Sequence, residues 1–168
     1  MKKILIIGCP GSGKSSLAVW LSKELSLPLV HLDKINWLNN QEYLSRDKFN
    51  NQLTNELMKK EWLIDGNYNR TLEKRITHAD TVIWLDLPKQ VCLFRIIKRY
   101  ITNHHKVNSH GNPDTISWSF IKFVWQFNKK TSPQIKNLET MYKKHTNFIT
   151  LHSAKEVSYF KKNLTPFS

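Results

Sequence analysis

A chain of 168 residues fits one compact domain with a real core and is too short for a separate substrate domain. Its 26 Lys and Arg against 13 Asp and Glu give a formal net charge of +13, a balance that favours nucleotides, phosphorylated metabolites or nucleic acid as partners, and that a solvated lysine-rich surface also produces. Two cysteines, Cys9 and Cys92, stand in unrelated contexts without metal-ligand spacing, so they support neither a disulfide framework nor a zinc site and read as free thiols.

In chain order, residues 2–8 read as a short buried strand. Its apolar run from Ile4 to Ile7 is too short for a secretion signal or a membrane span, and a cytoplasmic protein is expected. Residues 12–25 read as a helix and 29–33 as a second strand after Pro28, which makes a strand-loop-helix-strand unit. Residues 45–58 place Phe49, Leu53 and Leu57 at helical spacing behind Ser45 as N-cap, with Asp47 in the first turn. Residues 62–65 and 81–86 are apolar runs that each end in a carboxylate, as strands of a parallel sheet do at their carboxyl edge. On that pattern Asp33, Asp65 and Asp86 share one rim.

A helix follows Pro88 to about residue 100, and a polar stretch after it contains His104, His105, His110, Gly111 and Pro113. This stretch, at about 100–115, is the candidate lid, and its histidines are assigned no role. Residues 116–127 are apolar or aromatic on nearly all faces, which reads as a core helix, with a dimer face or a pocket wall as alternatives. Residues 131–133 break that helix, 134–145 form another, 148–151 form the last strand, and Ser153 with Glu156 has capping-box spacing for a terminal helix. With no repeat, low-complexity tract or linker, residues 1–168 are expected to form a single domain.

The chemistry is concentrated early. Gly8, Cys9, Pro10, Gly11, Ser12, Gly13, Lys14 and Ser15 match the phosphate-loop pattern G-x-x-x-x-G-K-[ST] in full, with Ser16 next to them, between an expected strand and an expected helix. The glycines let backbone N–H groups turn toward a β-phosphate and the helix N-terminus adds its positive dipole end. Lys14 reaches the β and γ oxygens, and Ser15 offers a hydroxyl to Mg²⁺. ATP with Mg²⁺ is the expected cofactor; a glycine turn of purely structural use is the plainer alternative. A GTPase reading draws on Asn128, Lys129, Lys130 and Thr131, near N-K-x-D, and on Ser153, Ala154 and Lys155. It lacks the guanine-binding carboxylate, since Thr131 stands there, and Asp86 has no glycine three residues later.

From the P-loop onward the chain resembles the adenylate kinase-like small kinases, and more closely the bacterial DNA topology modulation (FlaR-like) group. The similarity runs over about 2–99 and is carried by the P-loop; by His31, Leu32, Asp33 and Trp37; by WLIDGNY at 62–68; by ADTVIWLDLP at 79–88; and by Arg95 with Arg99. The resemblance implies Arg95 near the ATP base and Arg99 near the phosphates, as the cation for transition-state charge. It implies Asp65 holding Mg²⁺ through water and Asp33 orienting an acceptor hydroxyl as a base. Arg70 would grip an acceptor phosphate, one residue further along than in the family pattern. The chain lacks the second arginine pair of an adenylate kinase lid, so the likeness is to the class rather than to adenylate kinase. Phosphoryl transfer needs positioning and charge stabilisation above all, which Lys14, Mg²⁺ and a further cation supply.

The expected fold is a three-layer α/β P-loop domain with a parallel sheet of about five strands and helices on both faces. The expected function is ATP-dependent phosphoryl transfer to a nucleotide or small hydroxyl metabolite. A nucleic-acid-associated regulatory ATPase is the alternative and a GTPase the minor one; no membrane partner is expected.

Overall fold

The computed structural model describes residues 1–36, 44–102 and 117–164. Along the chain these form β1 (Lys3–Gly8), α1 (Lys14–Glu24), β2 (Leu29–His31), α2 (Leu32–Asn36), α3 (Arg46–Leu57), β3 (Trp62–Asp65), a 3-10 turn (Asn69–Thr71), α4 (Leu72–His78), β4 (Thr81–Leu85), α5 (Lys89–Thr102), α6 (Trp118–Lys130), α7 (Ser132–Tyr142), β5 (Asn147–Leu151) and α8 (Ala154–Asn163).

Local chemistry explains most boundaries. Ile4 to Ile7 are at most 1% exposed, as befits a central parallel strand covered on both faces. Ser45 caps α3 by accepting from Lys48 N, and Phe49, Leu53 and Leu57 of that helix enter the core. At α8 Ser153 Oγ accepts from Glu156 N at 3.1 Å, while Glu156 Oε2 accepts from His152 N at 2.9 Å, closing a capping box that reaches one residue further back than usual.

The five strands form one parallel sheet in the order β2-β3-β1-β4-β5. Right-handed crossovers then decide the layers. The step from β1 to β2 runs in one direction and puts α1 on one face. The steps β2 to β3, β3 to β4 and β4 to β5 run in the other and put α3, α4 and α5 to α7 on the opposite face. Lys161 of α8 lies 4.9 Å from the ring centre of Trp20 in α1, so α8 joins the first layer. The result is a three-layer α/β P-loop-type domain. The crossovers that leave the neighbouring strands β1 and β3 run in opposite directions, and such a switch point leaves a crevice at the carboxyl edge of the sheet, beside Gly8.

Several expectations change. The second strand stops at His31, because its partner β3 stops at Asp65 and Gly66 then turns with φ 135°. A Cβ on Gly66 would sit 2.8 Å from Leu32 Cβ, so the glycine makes room for the chain to coil into α2 at once. Asp33 therefore lies in the first turn of a short helix rather than at a strand end. Helix α4 had no expectation at all. The aromatic helix is α6, and it is not a core helix: Val124 and Phe127 are buried, but Trp118, Phe123 and Trp125 are 80%, 45% and 49% exposed. Cys9 and Cys92, far apart in sequence, meet beneath the P-loop, buried and sharing a side-chain hydrogen bond that, with burial, holds the Cys9 thiol protonated. Of the expected lid, residues 100–102 end α5; His104, His105, His110 and the rest of it lie outside the described residues, as does Trp37. No helix among the described residues is long and apolar enough to cross a membrane.

Candidate active site at the carboxyl edge of the sheet

Strand β1 delivers the chain to Gly8, and the turn that follows needs its glycines. Gly11 has φ 79° and Gly13 φ 96°; a Cβ on Gly11 would collide with the carbonyl of Cys92, so α5 packs directly against the loop. Gly13 starts α1 in a left-handed conformation, with no side-chain cap and no acidic residue in the first turn. The helix thus presents its positive end without a competing carboxylate of its own. Lys14 Nζ bends back to donate to Cys9 O at 3.4 Å.

A cleft of about 520 Å³ opens over this turn. Its floor is Pro10, Gly11, Gly13, Lys14, Ser15 and Ser16; one wall is Asp33 with residues 66–68, and the other is Arg95, Ile96, Arg99, Phe120 and Phe123. The site residues expected from the sequence are thus mostly gathered in one place. Gly8, Cys9 and Ser12 lie beneath the floor instead. Cys9 is turned into the core, and Ser12 is 3% exposed, with its N–H given to Cys9 O at 3.0 Å. Arg70 is exposed on the 3-10 turn and lines a separate cavity of about 370 Å³ with Arg46, Phe49 and Asn69, which shares Tyr68 with the cleft. Asp86 is at the rim but outside the cleft, with His152 Nδ1 3.6 Å away. Asn128 and Lys129 sit inside α6 and line none of the floor or walls.

Asp33, which lines the cleft, and Asp65, buried beside it at 4% exposure, differ. Burial works against the charge of Asp65, but a hydrogen bond from His31, the charge on that ring, a hydroxyl bond from Ser15 and the Lys14 ammonium outweigh it and hold the carboxyl below its ordinary pKa. Asp33 is pushed the other way, chiefly by burial and further by the neighbouring Asp65, against the opposing pull of Lys14 and of the Tyr68 hydroxyl, which donates to Oδ1 at 3.1 Å. One carboxylate is thereby kept ionised and the other held nearer to accepting a proton.

Arg95 ties α5 to the loop, its Nη1 donating to Ser12 O at 3.0 Å. It also lines a smaller cavity of about 360 Å³ on the far side of the loop, bounded by Gly13, Ser16, Leu87, Ala154 and Lys161. Arg99 is exposed at the outer edge of the cleft.

Residues that the sequence reading left without a role hold this site together. Asn67 Oδ1 accepts from Gly8 N at 3.1 Å, which fixes the β3 turn against the P-loop. Arg75, 0% exposed, points from α4 into the same turn, donating to Gly66 O at 2.7 Å, to Asn67 O, to Tyr68 O at 3.1 Å and to Thr71 O at 3.3 Å. Burial lowers its pKa to about 9, so it remains charged at neutral pH. The cue for Arg75 was weak: an arginine amid polar residues of a short helix looks like surface.

The arrangement fits a magnesium nucleotide. Gly11 and Gly13, at φ values that side chains rarely adopt, bring bare backbone to the cleft floor between Pro10 and Lys14. Ser15 and Asp65 offer hard oxygen atoms of the kind Mg²⁺ takes; no cluster of three His, Cys, Asp or Glu occurs among the described residues. No protein-family model matches this chain, and no curated protein matches it.

Proposed function

We propose that the chain binds ATP with Mg²⁺ in the cleft and transfers the γ-phosphoryl group to a small acceptor, a nucleotide or a hydroxyl metabolite. The observation that carries this reading is a cleft with the P-loop residues Gly11, Gly13, Lys14, Ser15 and Ser16 as its floor and Asp33 in its wall, with Asp65, a carboxylate of opposite character, buried beside it against Ser15. A proton-accepting carboxylate at this place serves an acceptor hydroxyl or an attacking water, and the acceptor panel below separates the two.

On this reading the backbone around Gly11 to Ser15 and the N-terminus of α1 cradle the phosphates, and Lys14 swings from Cys9 O toward the β and γ oxygens. Ser15 and, through water, Asp65 hold Mg²⁺, which supplies charge neutralisation at the phosphate oxygens. Asp33, held in place by Tyr68, takes the proton of the acceptor hydroxyl. Arg99 supplies positive charge from the opposite wall as negative charge shifts during transfer, and Arg95 anchors the nucleotide side by fixing Ser12. The basic surface draws anionic ligands in.

The test is ADP formation from Mg-ATP with a panel of nucleoside monophosphates, nucleosides and hydroxyl metabolites, with Lys14→Ala as control. Acceptor-dependent ADP release that vanishes in the variant is the expected result. ATP binding that no acceptor stimulates, with turnover that responds to nucleic acid instead, would move the regulatory ATPase ahead.

A further inference from the structure

We infer that His31 is a positioning residue for the metal side of the cleft, holding Asp65 in the orientation that serves Mg²⁺ beside Ser15; this rests on the Mg-nucleotide reading above. The register of β2 on β3 pairs His31 with Asp65, and paired residues of neighbouring parallel strands project to the same face. The imidazole therefore lies beside the carboxylate, with Nδ1 2.7 Å from Oδ1 and the two side chains 9% and 5% exposed. A carboxylate oxygen accepts, so at this distance Nδ1 carries the proton and donates.

The terminal torsion of an aspartate is broad and roughly two-fold, so a carboxylate held at one oxygen alone is easily rotated. The His31 bond removes that freedom on the side away from the P-loop. The Ser15 hydroxyl and the Lys14 ammonium act on the same carboxylate from the P-loop side. Asp33, which also feels the charge of Asp65, stands on the acceptor side. His31 is thus placed to keep Asp65 turned toward the hydroxyl that meets the ion. Outer partners of this kind set metal affinity, their loss costing about 10- to 100-fold.

The experiment follows binding of a fluorescent ATP analogue as Mg²⁺ is titrated, in the wild-type protein and in His31→Ala, His31→Asn and His31→Gln. An Asn amide nitrogen falls where Nδ1 was, whereas that of Gln falls nearer the other ring nitrogen. The expected result is equal binding of all four proteins in EDTA, a Mg²⁺ requirement raised about tenfold or more in His31→Ala and His31→Gln, and recovery of most of the loss in His31→Asn. Should His31→Ala fail to fold, the contrast between Asn and Gln carries the test. A wild-type Mg²⁺ requirement in His31→Ala or His31→Gln, even with a lowered melting temperature, would mark the pair as a mere strand clasp and overturn the inference while leaving the Mg-nucleotide reading intact. Failure of the wild-type protein itself to bind the analogue at any Mg²⁺ concentration would overturn both.

Discussion

The two walls of the cleft are built on opposite plans. On the β2–β3 side every group that faces the P-loop is tied: His31 to Asp65, Tyr68 to Asp33, Asn67 to Gly8, and the turn itself to the buried Arg75. On the α5–α6 side Arg99, Phe123 and Trp125 are exposed, and α5 leaves Phe94 and Ile101 66% and 69% exposed as well. The difference teaches where precision resides. Charges that must keep one geometry are set on a sheet edge among buried hydrogen bonds, where unpaired polar atoms would be costly. The cationic wall sits on helices with Arg99 exposed, and is suited to meet a ligand rather than to define its position.

Replacing Lys14 with Ala should have the largest effect, a loss of about 100-fold or more in acceptor-dependent ADP formation, since a preorganised charge at the transferring group is removed. Arg75→Met tests the tied wall directly. It leaves several buried carbonyls without donors and should cost about 3 kcal/mol in urea unfolding, whereas truncating exposed Trp118 should change stability by less than about 0.5 kcal/mol. Equal losses from the two would erase the contrast between the walls.

The carboxylates sharpen it. Asp65 has a folded pKa below the ordinary 3.8, so its charge adds stability above that pH which is lost as pH falls through the lowered value. Asp33 has a folded pKa above 3.8; its charge costs stability once pH rises past 3.8 and through the raised value, and the cost is relieved in acid. Asp65→Asn should therefore destabilise at pH 7 by about 1.5–3 kcal/mol, the scale of a hydrogen bond to a charged group, with the difference shrinking below pH 3.8. Asp33→Asn should stabilise at pH 7 while impairing transfer. Urea unfolding across pH reads both signs. The smallest effect belongs to Arg70→Ala: nucleotide affinity unchanged within about twofold, as for a surface position outside the cleft, with any change confined to the acceptor's KM.

The sequence made the P-loop, the parallel sheet and the capped helices legible because each is a local pattern: a glycine spacing, an apolar run, a Ser-x-x-Glu. Asp33 and Asp65 were found for the same reason, although Asp33 was given the wrong element. Its position depends on where β3 ends and on Leu32 meeting Gly66, a contact between distant segments. His31, Asn67 and Arg75 were missed as working parts because their partners are 34, 59 and 4 to 9 residues away, and mostly backbone atoms. The meeting of Cys9 and Cys92 is likewise a product of α5 packing on the loop. The exposure of α6 was hidden by its composition, since aromatic residues on all faces look the same whether they line a core or a cleft.

The most direct test of the central claim is the fate of a labelled γ-phosphate when Mg-ATP is incubated with the protein and the acceptor panel. Label appearing covalently on an acceptor, in wild type and not in Lys14→Ala, is the predicted result. Label released only as inorganic phosphate, whatever the acceptor, would contradict phosphoryl transfer and leave a hydrolase built on the same P-loop.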